Sequence, residues 1–343
     1  MRLVQKGHQV TVYAESNQAG QPDTWHRGVR IRYIQLPHWG SATVIGYDWR
    51  CLQDATQDHY DLLYMLGYGT AWGCWWVRKR HGQKVWINVD GLEWARSKWS
   101  LIARTYLRVM EWVSSWAPTR IIADAQAIAS HYQQRYPRSA ACTCIAYGAD
   151  VPNPVTALQG NQLPHQLNAH DYILVVARPE PENHLLEIIQ GYQLAGISWP
   201  LVIVGDVKSH NSYQRKLLSL ASNQVLFVGG IYDPAALTAL RLQAACHVHA
   251  HSVGGTNPSL LEAMACSSLI IALDNPFNRE VAHDAALYFQ TPQQLAAHFQ
   301  AIHADPHIHH YLQIRACQRV RSHYSWDLIA TAYEQLIHAE VAS

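Results

Sequence analysis

Charge of one sign is missing from this 343-residue chain: 26 Lys and Arg offset 25 Asp and Glu to a net charge of +1. That excludes nucleic-acid binding through an overall basic charge. No run of about 18 apolar residues occurs, so no helix is expected to span a bilayer. The opening MRLVQKGHQVTVY lacks the apolar segment of a secretory signal. Seven cysteines, an odd number with no C-x-x-C pair, do not form a disulfide framework and suit a reducing cytoplasm. Cys142 and Cys144 share one face of a strand, where they are expected to pack as small hydrophobes. His307, His309 and His310 read as a solvated helix face rather than a metal site.

What is present suffices for two cores, since hydrophobic residues make up 49% of the chain. Val29 to Leu36, VRIRYIQL, alternates with period two as a half-buried strand does. Further first-half strands are expected at 10–13, 61–65, 84–89, 121–123 and 144–147, with Asp124 capping a helix that runs through Tyr132. Residues 151–170 are rich in Pro, Asn, Gln and Gly without periodicity and read as a linker. Beyond them strands are expected at 172–176, 201–204, 225–228, 246–251 and 269–272. Strands alternating with helices predict an α/β chain with parallel sheets. Met1 to Lys6 reads as the end of a helix capped by Gly7. A doubly wound domain normally opens on a strand and a glycine-rich turn before that helix, so the chain is expected to be truncated at its start. Between 98 and 116, Ile102, Tyr106, Val109, Val113 and Trp116 fall on one helical stripe, expected to pack on the core. Trp94, Trp99 and Trp112 with Arg96 and Lys98 offer the competing reading, a contact with a membrane surface.

The centre of the sequence is Cys246 to Cys266, CHVHAHSVGGTNPSLLEAMAC. His247, His249 and His251 alternate as on a strand, which Gly254 and Gly255 end. Thr256, Asn257 and Pro258 then open a helix by the usual sequence of polar cap and proline. Strand, turn and helix start leave free N–H groups and a positive dipole end beyond the strand, a setting suited to phosphate. Glu262, about a turn and a half into the helix, is placed to reach a ligand hydroxyl and is expected to add little packing. His249 and His251 have no third ligand placed by the sequence, so no metal is expected there.

The run GGTNPSLLEAM, preceded by HAHSV, together with NVDGLEW at 88–94, resembles the retaining family 4 glycosyltransferases. It is most similar to bacterial rhamnosyltransferases of capsule and exopolysaccharide synthesis. The resemblance implies a GT-B fold, two Rossmann-like domains facing across a cleft. It divides the chain into an acceptor-side domain at 1–150, the linker at 151–170, a nucleotide-sugar donor domain at 171–324 and a crossover helix at 325–343. It implies a nucleotide-sugar donor, dTDP-rhamnose, and a lipid-linked saccharide acceptor met at the inner membrane face, without cofactor or metal and without nucleic acid. UDP-glucose or GDP-mannose on the same scaffold, or a non-catalytic nucleotide-binding remnant, are the alternatives. Two positions depart from the wider family: Gly254 stands where the first motif Glu is usual, and Asn183 where a Lys is usual.

Catalysis is expected to rest on Asp90, Arg178 and Glu262. Arg178, after the first second-half strand, would meet a diphosphate. Ile231 and Tyr232 would neighbour the base. His251, Gly254, Gly255, Thr256, Asn257 and Ser259 would surround the sugar and phosphates, and Glu262 would bind the ribose. Asp206 fits a turn residue as well as a contact. Asp90 and Glu93, following a strand, suit binding of an acceptor hydroxyl.

Overall fold

Apolar runs flanked by turn residues become buried parallel strands, and the longer mixed runs between them become helices. The computed structural model describes residues 1–16, 18, 20–36, 43–89, 91–96, 99–158, 167–209 and 211–342. They fall into two compact units, Met1–Ala146 with Trp326–Ser343, and Tyr147–Ser325.

The first unit holds β1 (Thr11–Ser16), β2 (Thr24–His26), β3 (Val29–Gln35), β4 (Leu62–Leu66), β5 (Lys84–Val89), β6 (Arg120–Ala123) and β7 (Ala141–Cys144). β1 and β3 pair in parallel, and β2 joins β3 as an antiparallel edge. The short β2 was not foreseen, because three exposed residues carry no burial pattern. β4 to β7 form a separate parallel sheet in chain order. The strand expected at 144–147 lies earlier, so that Cys142 and Cys144 both fall within β7. The helix expected to be capped by Asp124 has Ala125 at that position, with no side-chain cap. Across the sheet lies the last helix, Trp326–Val341, whose Trp326, Ile329, Tyr333, Leu336 and Ile337 pack with Trp86, Ile122 and Ile145. The hydroxyls of Tyr64 and Tyr333 meet at 2.9 Å.

The second unit holds β8 (Ile173–Val176), β9 (Leu201–Val204), β10 (Val225–Phe227), β11 (Cys246–His249), β12 (Ile270–Leu273) and β13 (Leu287–Phe289). They form one sheet ordered β10-β9-β8-β11-β12-β13, parallel throughout. Counted within the unit this is the doubly wound order in which direction reverses between the first and fourth strands. Within the stretch expected as linker, Pro154–Leu158 is a short helix packed on the helix Pro234–Gln243. Residues 159–166 lie outside the described residues. Among the described residues no helix is long and apolar enough to cross a membrane.

β11 is buried along its whole length, so His247 and His249 sit in the core rather than on an exposed face. Neither nitrogen of His247, nor Nε2 of His249, has a hydrogen-bond partner. Burial holds the His247 imidazole well below its ordinary range and lowers His249 to about 3. Both are therefore neutral when folded and protonate on unfolding once the pH is below about 6.5. The unfolded state then binds more protons, and stability is lost as pH falls from about 6.5 towards 3. Asp48, raised by burial to about 6, acts in the opposite sense in the first unit. Urea unfolding of the second unit should thus show a lower midpoint at pH 5 than at pH 7, and His247→Leu should flatten that dependence.

Candidate active site

The switch point of the second sheet gathers the loops that follow β8 and β11. β8 and β11 are neighbours in register, Cys246 beside Ile173 and His247 beside Leu174. Helices leaving them depart to opposite faces, which opens a crevice beyond their carboxyl ends. The loop after β11 is clasped to the loop after β8: the Ser252 amide and hydroxyl both donate to the Glu182 carbonyl, at 3.0 and 3.1 Å. His251 Nδ1 lies 2.8 Å from Asn183 Oδ1, and Asn183 Nδ2 donates to the Arg178 carbonyl at 2.8 Å. Asn183 therefore acts as a neutral brace at the place where the resemblance leads one to expect a lysine. Asn275 and Asn278 hold the loop from behind, each donating to the His251 carbonyl.

The helix Pro258–Ala265 starts as its sequence dictates. Asn257 caps it, accepting from the Ser259 amide at 2.9 Å, and Pro258 takes the first position, where its missing N–H costs nothing. Gly254 enters the turn with φ of 136°, a left-handed conformation that side chains rarely adopt. Gly254, Gly255 and Thr256 are buried. The Ser259 hydroxyl donates to the Val176 carbonyl at 3.2 Å, which ties the helix start to the end of β8. Arg178 follows β8 exposed, and among the described residues neither Glu180 nor Glu182 forms an ion pair with it. Arg178 thus stands two residues past the end of β8, the strand end to which Ser259 ties the helix start.

Glu262 projects from this helix 49% exposed and binds Arg241, whose side chain is only 4% exposed, at 2.7 Å. Arg241 comes from the helix Pro234–Gln243 and also approaches the Ser259 hydroxyl at 3.4 Å. The expectation that Glu262 contributes little to the fold is corrected here. Its carboxylate compensates a buried guanidinium, and removing it strands that charge. Arg241 was missed because nothing in LRLQAA distinguishes a buried arginine from a solvated one.

Past β9 and β10 the loops make a second surface. Asp206 accepts from the Gly230 amide at 2.7 Å and from the Tyr232 hydroxyl at 2.5 Å. Those two hydrogen bonds, the Tyr232 one first, hold the Asp206 carboxyl below its ordinary range. The Tyr232 ring lies across Gly230, where a Cβ would meet it at 2.9 Å, and the residue remains 83% exposed. Ile231 packs against the core cluster that holds Tyr172, Val204 and Leu240. Asp206 is thus an anchor for an open aromatic face rather than a simple turn residue.

In the first unit, Asp90 and Lys98 lie outside the described residues. Glu93 is committed to local partners, Arg96 at 2.8 Å and the Trp99 indole N–H at 3.2 Å. Trp94 donates its indole N–H to Glu111. Glu111 is buried and also accepts from Tyr136 at 2.8 Å and faces His131 Nε2 at 2.9 Å. These donors make a buried carboxylate tolerable and pin the loop after β5. Of the stripe expected to pack on the core, the helix Leu101–Ser114 and the residues after it bury Val113 and half-bury Tyr106, and leave Ile102, Val109 and Trp116 exposed. Met110, Glu111, Val113 and Ser114 face inward, while Leu101 and Ile102 are 80% and 85% exposed, with Val109, Trp112 and Trp116 also at the surface. The polar Glu111 and Ser114 have partners inside, so the inward face keeps Val113 of the apolar stripe but shifts towards Glu111 and Ser114; Ser114 meets the Tyr132 hydroxyl at 2.9 Å.

Residues 164–319 match the family described as glycosyl transferases group 1, and residues 5–150 match a domain of unknown function, DUF1972. No curated protein matches the chain. Among solved structures, sucrose-phosphate synthase from Thermosynechococcus elongatus is 19% identical with a TM-score of 0.79, over 99% of this chain and 91% of that one. The trehalose 6-phosphate synthase of Burkholderia multivorans is 12% identical with a TM-score of 0.75, over 97% and 91%. HepE of Anabaena, solved with UDP and glucose, is 16% identical with a TM-score of 0.74, over 90% and 86%. The fold is GT-B, with two Rossmann-like domains, and the group 1 match falls within the second unit.

Glu262→Ala should lower stability by about 1–3 kcal/mol, the range for leaving a buried polar group unpaired. Glu262→Gln, which keeps an acceptor for Arg241, should cost less. Thermal unfolding of the two variants beside wild type measures the difference.

Proposed function

We propose that this chain is a retaining glycosyltransferase, moving rhamnose from dTDP-rhamnose to a lipid-linked saccharide at the cytoplasmic face of a membrane. What supports the reading is the switch point, where Arg178 follows β8 and a proline-started helix follows β11. Two phosphates joined to a sugar need that combination of a mobile cation and fixed N–H donors. Glu262, held by Arg241, would accept from the ribose. The face of Tyr232, fixed by Asp206, would stack on the base, with Ile231 beneath the same loop. His251, Gly254, Gly255, Thr256, Asn257 and Ser259 would line the sugar and diphosphate.

Transfer with retention needs no protein nucleophile in this reading. The acceptor oxygen bonds to C1 as the C1–O bond to diphosphate breaks on the same face, and the acceptor proton passes to the leaving diphosphate. The charge left on that diphosphate is stabilised by Arg178 and the helix start. Asp90 would orient the acceptor hydroxyl. Glu93, engaged by Arg96 and Trp99, would shape the loop that carries Asp90. The exposed Leu101, Ile102, Trp112 and Trp116 suit shallow insertion among lipid headgroups, where a lipid-linked acceptor is met. A second reading, transfer of glucose from UDP-glucose, is favoured by the fold shared with HepE, which was solved with UDP-glucose.

Calorimetric titration of the full chain with dTDP, UDP and GDP separates these donors. One nucleotide should bind, about tenfold more weakly to Glu262→Gln and to Gly230→Ala, whose methyl displaces the Tyr232 ring. A folded chain that binds none of the three would refute the donor site. Ile102→Ser with Trp112→Ser should abolish sedimentation with anionic vesicles while leaving nucleotide affinity unchanged.

A further inference from the structure

His8, Glu334 and His338 bring three metal-ligating side chains together in the first unit, on a face that the proposed transferase chemistry does not use. Their ligand atoms all lie within 4.8 Å of one another. His8 is positioned by backbone geometry. The helix Arg2–Gln5 ends with the Gly7 amide donating to the Val4 carbonyl and the His8 amide to the Leu3 carbonyl, both at 3.0 Å. That pair of bonds around a left-handed Gly7 is a Schellman cap, which fixes the direction of the next side chain. Glu334 and His338 stand four residues apart in Trp326–Val341 and therefore one above the other on the same helix face.

Two details point to an ion rather than to ordinary packing. His8 Nε2 is shielded from solvent and has no hydrogen-bond partner. It faces Glu334 Oε1 at 3.9 Å, too long for a hydrogen bond but close to the span of two ligands on one metal. With bonds of about 2.0–2.2 Å, ligand atoms of a tetrahedral zinc centre stand about 3.3–3.5 Å apart, within reach of small side-chain rotations. Lys6 holds the other carboxylate oxygen, Oε2, at 2.7 Å, leaving Oε1 turned to His8. The His8 and His338 rings lie 5.5 Å apart between centroids, each able to offer a nitrogen to the same point.

We infer that His8, Glu334 and His338 form a binding site for a divalent transition-metal ion, zinc by its two-imidazole, one-carboxylate donor set. Solvent completes the coordination, because His338 is exposed. Its role is structural: it staples the segment before β1 to the last helix, two parts of the unit that are far apart in sequence. Lys6–Glu334 and the 2.6 Å pair Arg2–Asp327 already join the same two elements through partly exposed charges. Such pairs contribute little and are screened by salt, so a metal would be the stronger link.

The test is titration of the full chain with zinc chloride, following heat and the thermal midpoint, for wild type, His338→Ala and His8→Ala. Other histidines, His307 to His310 among them, add weaker background binding, so the readout is the difference in stoichiometry. Wild type should bind one equivalent more than either variant, and its midpoint should rise with zinc while theirs do not. Should His8→Ala fail to fold, the exposed His338→Ala decides alone. Equal stoichiometry in wild type and variants, or no zinc-dependent rise in wild type, overturns the site.

Discussion

The reversal of strand order between β8 and β11 is the constraint on which the second unit depends. Parallel strands need crossovers on the faces of the sheet, and neighbours wound in opposite directions send their helices apart. The crevice left at their carboxyl ends is backbone geometry, present before any side chain is chosen. Ser252 and Ser259 then tie the β11 side to carbonyls on the β8 side, and His251 meets Asn183, which is itself braced on the Arg178 carbonyl of its own loop.

Buried charge recurs in both units and is handled in the same manner. Arg241 takes its counterion from a half-exposed Glu262 at the rim of the crevice. Glu111 takes hydrogen bonds from Trp94 and Tyr136 beside the loop that precedes the helix Leu101–Ser114. The first pair joins two helices and the second joins a helix to the segment after β5, so truncating the visible partner disturbs a hidden one. This couples the residues proposed to face the ligand to stability, and a loss of binding in a variant has to be separated from a loss of fold.

Much of the architecture was legible because strand periodicity and turn residues are local signals. The β3, β5, β9 and β11 runs fall within a few residues of their expected places, and Asn257 caps the motif helix as its sequence implies. What failed failed for non-local reasons. The stripe of Ile102, Tyr106, Val109, Val113 and Trp116 has the right period for a core face and Val113 does lie in the core, yet Ile102, Val109 and Trp116 are exposed while Glu111, with partners from 94, 131 and 136, is buried. Period alone cannot weigh an apolar stripe against a carboxylate whose partners lie up to 25 residues away.

By itself the sequence determined the α/β class, the breaks between elements and the strand, glycine turn and capped helix of residues 246–266, because propensity, capping and alternation act over a few neighbouring residues. Only the tertiary structure decided which strands adjoin, that Glu262 answers to Arg241, that Asp206 anchors Tyr232, and that His8 faces Glu334 and His338. Those contacts join residues as many as 330 positions apart. Their strength depends on distance and burial, which exist only once the sheets have formed.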